Sequence, residues 1–131
     1  TLTVLPWYEA GIESYATSLI ASDRFLADRP DVARRFIEAY ARAIELTWSD
    51  PDGAAQAVNQ WVPEVEVDSA AATIRSIENL VFNTVSSTDG LGAFNPERLA
   101  LTWNWTAQAQ GIEPGSFDPE TTLNRDFVLV Q

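Results

Sequence analysis

Proline followed directly by an acidic residue marks four points along the chain as helix starts. Proline suits the first helical turn, where its missing N–H is not needed, and the helix dipole stabilises an acid placed there. At three of the four points an Asp or Asn precedes the proline, and both are good N-caps. The four motifs are Arg29-Pro30-Asp31, Asp50-Pro51-Asp52, Asn95-Pro96-Glu97 and Asp118-Pro119-Glu120. They predict a chain organised mainly by helices.

Apolar spacing sets the extent of the helices. From Pro30 onward apolar residues recur every fourth position, which predicts an amphipathic helix of about five turns. These residues are Val32, Phe36, Tyr40, Ile44 and Trp48. The same reasoning predicts helices over 22–27, 51–61, 69–85 and 96–110, a loop over 88–92, and Gly111 as the C-cap of the last helix.

Strand-like runs are confined to the two ends of the chain. The runs Leu2–Pro6 and Tyr15–Ala21 predict short strands, and 126–130 predicts a third strand or an extended docking segment. Strands so few and so placed do not make a stable sheet alone. We therefore expect one domain over 1–131, α/β overall and mainly helical here, with four to five helices, two or three short strands and an incomplete sheet.

Composition narrows the chemistry that these residues can perform. The 131 residues include no His, Cys, Lys or Met. Nucleophilic triads, thiolate and common zinc sites, P-loops and lysine Schiff bases are therefore excluded from them. The 19 acidic residues against 8 basic ones give a net charge of −11, which disfavours nucleic acid as a partner. Carboxylate chemistry, a hard-cation site and binding without catalysis remain, and composition favours the last. We expect neither a cofactor nor a metal.

The segment from Trp7 to Tyr15 is the best candidate site. It combines neighbouring aromatic rings, the carboxylate of Glu9 and a flexible Gly11, a pattern that suits a small planar ligand with N–H or O–H donors. The alternative is that Trp7 and Tyr15 belong to the core and that Glu9 and Glu13 are merely solvated. A glycosidase pair of Glu9 and Glu13 would need a fixed separation across the substrate, which nothing in the sequence sets.

Four motifs in this order resemble the bacterial ABC-transporter solute-binding proteins of the thiamine-pyrimidine-precursor, sulfonate, taurine and nitrate type. The resemblance is carried by the segments 9–21 (EAGIESYATSLIA), 29–39 (RPDVARRFIEA), 50–55 (DPDGAA) and 90–98 (GLGAFNPER). The chain departs from the family pattern at Ala10, Ala16, Thr17 and Arg29, where the family usually has an aromatic, Gly, Asn and a capping Asn.

The resemblance implies the C-terminal part of a two-lobed type II periplasmic-binding-protein fold. Residues 1–21 would be the interlobe return with its strands, and 22–131 the helical part. The remaining sheet and a signal peptide would precede Thr1, which is not a translation start as written. The implied location is periplasmic or otherwise extracytoplasmic.

The resemblance also implies a function without catalysis. A small ligand, heterocyclic or anionic, would bind in the interlobe cleft and pass to an ABC permease in the membrane. The implied ligand-binding residues are Trp7, Tyr8, Glu9, Tyr15 and Thr17. A related eukaryotic pyrimidine synthase uses essential His and Cys residues. The 131 residues of this sequence contain neither His nor Cys, so the resemblance does not imply that enzymatic activity here.

A stand-alone helical protein-interaction module is the competing interpretation. It would present an exposed apolar face, with Trp103 and Trp105 as candidates. Such a module should be monomeric, whereas a chain with its surface left open should dimerise or swap.

Overall fold

Helices dominate the structure, a computed structural model that describes residue 3 and residues 5–127. The α-helices in these residues are α1 (Asp23–Asp28), α2 (Pro30–Ser49), α3 (Pro51–Trp61), α4 (Val67–Ser76), α5 (Glu78–Val81), α6 (Thr84–Asp89) and α7 (Pro96–Gln110). Short 3₁₀ turns occupy Trp7–Ala10, Pro114–Ser116, Pro119–Thr122 and Arg125–Phe127. The expectation of a mainly helical chain is confirmed.

The proline-acid motifs begin helices as predicted. α2, α3 and α7 each start at the proline of their motif. The Asp50 carboxylate accepts the Gly53 N–H at 3.0 Å and caps α3. The Asn95 amide oxygen caps α7 by accepting two backbone N–H groups. The fourth motif begins only the 3₁₀ turn Pro119–Thr122.

The single helix predicted over 69–85 is wrong, because the chain breaks twice there. Ile77 separates α4 from α5 with φ −106° and ψ 7°, outside the α-helical region. Asn83 then begins α6 through a capping box. The Asn83 side chain accepts the Ser86 N–H, and the Ser86 hydroxyl accepts the Asn83 N–H. α6 runs to Asp89, so the predicted loop starts two residues late, at Gly90.

The strand predicted over Tyr15–Ala21 is not present. Residues 12–22 contain no helix, turn, bend or strand bridge. The Tyr15 N–H donates to the Thr102 hydroxyl of α7 at 2.9 Å and not to a neighbouring strand. A strand needs a second strand to pair with, and the described residues provide none.

The two terminal strand predictions fall partly outside the described residues. Leu2, Val4 and 128–130 are not described, whereas Leu5 and Pro6 lie outside any strand. Asp126 and Phe127 belong to a 3₁₀ turn.

The chain divides into two compact units, each with a thin core. The first comprises Thr1–Ala21 with Phe94–Asp126, and the second comprises Ser22–Ala93 with Phe127–Gln131. Among the residues that the structure describes, the buried apolar ones are Leu99 and Ala107 in the first unit and Ala33, Ala55 and Ala71 in the second. In the described part of the second unit only alanines are fully packed between helices, whereas the first unit also buries the larger side chain of Leu99.

Aromatic rings strengthen each core at its margin. In the second unit the Trp48 indole N–H donates to the Ile74 carbonyl at 3.0 Å, and its ring meets Phe82 edge-on at 5.5 Å between centroids. In the first unit Trp103 donates to the Pro114 carbonyl and meets Phe117 at 5.3 Å. These contacts fix the 3₁₀ turn Pro114–Ser116 against α7 and place Trp103 inside its unit.

Much apolar surface remains uncovered. Among the described residues, the large apolar side chains of Leu5, Ile20 and Trp61 are each at least 80 % exposed. Part of the predicted apolar stripe of α2 lies outward, where Phe36 and Tyr40 stack at 6.1 Å between ring centroids. α2 instead packs through the adjacent face that contains Ala33.

Candidate functional site

A tight 3₁₀ turn presents the predicted ligand residues. This aromatic turn, Trp7–Ala10, follows Pro6, whose carbonyl accepts the Glu9 N–H at 3.1 Å. Gly11 closes the turn at φ +79°, where its N–H donates to the Tyr8 carbonyl. Residues with a side chain rarely adopt this backbone conformation, so the positive φ favours glycine here. Space does not require it, because nothing lies within 4 Å of a Cβ added at Gly11.

The side chains of the aromatic turn point into solvent. Trp7 is 71 % exposed and Tyr8 is 52 % exposed. Glu9 is also exposed. Trp7 is therefore not a core residue of this structure. Two rings and a carboxylate on consecutive residues can stack on a planar molecule and accept its hydrogen-bond donors.

Tyr15 is built into the scaffold of the first unit. Its half-buried ring meets the Phe94 ring at 4.8 Å between centroids, and its hydroxyl accepts the Asn95 N–H at 2.8 Å. Together with its backbone bond to Thr102, these contacts anchor the segment that follows the aromatic turn. Thr17, two residues further on, is exposed.

Arg98 supports the same segment and was not singled out by the sequence. Its guanidinium donates to the Glu13 carboxylate at 3.0 Å and lies 5.9 Å from the centroid of the Tyr15 ring. Glu13, although also exposed, is therefore an ion-pair partner, whereas Glu9 forms no ion pair within the described residues. In the sequence, Arg98 was only the last residue of the segment 90–98 and a member of the first turn of a predicted helix, and neither points to Glu13.

Arg125 fastens the C-terminal side of this scaffold. It donates to the Phe94 carbonyl at 2.9 Å and to both carboxylate oxygens of Glu120, the shortest at 2.7 Å. The hydrogen bond to Glu120 raises the pKa of Arg125 above its ordinary value, although burial opposes this. Three distant segments, 13–15, 94–98 and 120–125, thus meet at what we call the α7 node.

The second unit contains a surface concavity. A shallow cleft of about 390 Å³ is lined by Arg75, Ser76, Glu78, Asn79 and Phe82. Its cationic group is already paired, since Arg75 bonds Asp52. None of the predicted ligand residues lines this cleft.

The comparisons with known proteins bear on the N-terminal part of the chain. Residues 1–54 match the family model NMT1/THI5 like. The match covers about two fifths of the 131 residues and contains all five predicted ligand residues. No curated protein and no solved structure matches the chain.

The NMT1/THI5 like family is associated with the solute-binding proteins of ABC importers. It is generally a non-enzymatic, binding-protein family, although it also includes a thiamine biosynthesis protein. The match supports the resemblance carried by the segments up to residue 54.

Neither a metal-binding cluster nor a membrane-spanning helix is present among the described residues. Among residues 3 and 5–127, no group of three or more acidic side chains is arranged to hold a metal ion. None of the helices described is long and apolar enough to cross a membrane.

Proposed function

We propose that the chain is part of the solute-binding component of an ABC importer, capturing a small ligand in an interlobe cleft for delivery to a membrane permease. The observation that carries this proposal is the exposed aromatic turn, which lies inside the segment that matches the NMT1/THI5 like family. The proposed setting is periplasmic or otherwise extracytoplasmic. Trp7, Tyr8 and Glu9 are the proposed ligand contacts, with Tyr15 and Thr17 behind them.

The chemistry of the turn favours one ligand class. A heterocycle with an amine or amide would stack on Trp7 or Tyr8 and donate to Glu9. A bare sulfonate or nitrate would instead face the negative charge of Glu9, which nothing in the described part of the chain neutralises. An aminopyrimidine therefore fits the turn better than an inorganic anion does.

The uncovered surface supports a larger, two-lobed protein. Residues 12–22 carry no helix or strand pairing, and within this run Leu19 and Ile20 are exposed. Adjacent residues of an extended chain face opposite sides, so both sides of this run offer apolar groups. A sheet covered on both faces, contributed by polypeptide outside these residues, would pair with the run and bury it.

Titration of the full-length gene product tests the function directly. We would measure binding of a thiamine-precursor aminopyrimidine, taurine, an alkanesulfonate and nitrate by calorimetry. Glu9→Gln should weaken binding of the aminopyrimidine by about 10- to 100-fold, because a hydrogen bond to a charged group contributes roughly 1.5–3 kcal/mol. Trp7→Leu should weaken it by a similar factor through lost stacking.

The matched control is Trp61→Leu, since Trp61 is a highly exposed indole at the end of α3. It should leave the affinity unchanged. If none of the four compounds binds, or if Trp7→Leu and Glu9→Gln bind as tightly as the parent, the proposed function is wrong.

A stand-alone interaction module is the second candidate, and the exposed Phe36 and Tyr40 stack is the observation that favours it. The tryptophans predicted for this role differ: Trp103 is half-buried and hydrogen-bonded, and Trp105 is exposed. The intact mass of the native product decides between the candidates. A product of more than twice 14.4 kDa supports the binding protein, and one near 14.4 kDa supports the module.

A further inference from the structure

We propose that Arg98 is a positioning residue that, through Glu13, fixes the direction in which the aromatic turn presents Trp7 and Glu9. The consequence for ligand affinity rests on the proposed function, whereas the positioning itself is a property of the chain alone. Arg98 would touch no ligand.

Within the described residues, the aromatic turn forms no hydrogen bond to another element. In the part of the chain that the structure describes, the hydrogen bonds of Trp7–Ala10 stay within residues 6–12. The first side chain after Gly11 that bonds to another element is Glu13, and its partner is Arg98 on α7. The direction of the turn therefore depends on how residues 13–15 are held.

Arg98 is suited to hold them. Its side chain is 32 % exposed, whereas the other paired arginines among the described residues range from 44 % to 91 %. A partly shielded ion pair is screened less by water and salt than an exposed one. The pair joins residues 85 apart in sequence, and Arg98 also lies over the Tyr15 ring.

The helix that holds Arg98 is itself well fixed. Asn95 caps its first turn with bonds to the N–H groups of Glu97 and Arg98. The neighbouring residue Leu99 is buried. A charge on a capped, packed helix gives the segment 13–15 a fixed point of attachment, which an exposed turn cannot supply for itself.

Fluorine NMR of the full-length protein labelled with 5-fluorotryptophan tests this proposal without a ligand. The Trp7 resonance is assigned with Trp7→Phe, and Trp103 reports on α7. We expect Arg98→Gln to shift and narrow the Trp7 resonance while the Trp103 resonance stays in place. Glu13→Gln should do the same, and the double variant should change Trp7 no more than either single variant does.

Two control variants test whether the effect comes from the charge of Arg98 and from this ion pair in particular. Arg98→Lys keeps the positive charge and should restore part of the Trp7 signal. Arg75→Gln breaks a comparable ion pair with Asp52, which lies in the other unit, and should leave Trp7 unchanged. The proposal is overturned if Arg98→Gln leaves Trp7 unchanged, or if Trp7 and Trp103 change together, as general loosening of α7 would cause.

Binding of the aminopyrimidine to Arg98→Gln forms the second arm. We expect roughly three- to tenfold weaker binding, corresponding to about 0.7–1.4 kcal/mol. Affinity equal to the parent's would overturn the link between positioning and recognition. A Trp7 response in NMR without binding of any candidate ligand would support the positioning and refute the proposed function.

Discussion

Removing the Tyr15 hydroxyl should loosen the α7 node in a way that can be measured at one amide. In Tyr15→Phe the ring remains against Phe94, but the Asn95 N–H loses the acceptor that now lies 2.8 Å away. A neutral hydrogen bond contributes roughly 0.5–1.5 kcal/mol net. Because the site is half-buried, water can partly replace the hydroxyl, and we expect a loss of about 1 kcal/mol.

Hydrogen exchange gives this loss a local readout. About 1 kcal/mol corresponds to roughly fivefold faster exchange of the Asn95 amide, and urea unfolding followed by circular dichroism should show the same decrease in stability. Tyr15→Ala should lose more than about 1 kcal/mol in addition, because it removes both the aromatic pair with Phe94 and the buried area of the ring.

The matched control for this experiment is Tyr8→Phe. Tyr8 is exposed, and its hydroxyl makes no hydrogen bond in the described part of the chain. Its removal should change stability by less than about 0.5 kcal/mol. If Tyr15→Phe unfolds at the same urea concentration as Tyr8→Phe and the Asn95 amide keeps its protection, the role assigned to this hydroxyl is refuted.

Three further predictions concern other parts of the chain. Gly111→Ala should cost about 1 kcal/mol in urea unfolding, because Gly111 caps α7 at φ +67°, whereas Gly115→Ala, at a conformation open to other residues, should not. Arg125→Gln should lower the melting temperature equally at pH 6 and pH 9, since the raised pKa of Arg125 keeps its guanidinium charged at both; unequal losses would contradict this. Ala33→Leu should cost about 1–3 kcal/mol by overpacking, while Phe36→Ser should change the stability of the 131-residue chain by less than about 0.5 kcal/mol, as chemical denaturation would show.

Features set by neighbouring residues were predictable from the sequence. The starts of α2, α3 and α7 depend on a proline, a cap and an acid within a few positions, and all three start where predicted. The breaks around α5 were missed because the apolar spacing continues through them. Asn83 with Ser86 was an available signal for the capping box of α6.

In the candidate site too, features formed by neighbouring residues were predictable, and contacts between residues far apart in the sequence were not. The aromatic turn was identified because its rings, carboxylate and glycine are consecutive in the sequence. The partners of Glu13 and Tyr15 were not identified, since Arg98, Asn95 and Thr102 lie 80 or more residues away. The outward stack of Phe36 was also missed, because periodicity marks an apolar stripe without showing which part of it finds a neighbour.

The sequence separation at the α7 node has a consequence for synthesis of the protein. Tyr15 and Asn95 are 80 residues apart, so at about 5–20 residues per second the tyrosine is synthesised roughly 4–16 seconds before its partner is. Residues 22–93, which belong to the other unit, are completed within that interval. During this time the uncharged run from Tyr15 to Ala21 lacks its tie to α7, and it is there that a nascent chain would be most exposed to a chaperone or to another nascent chain.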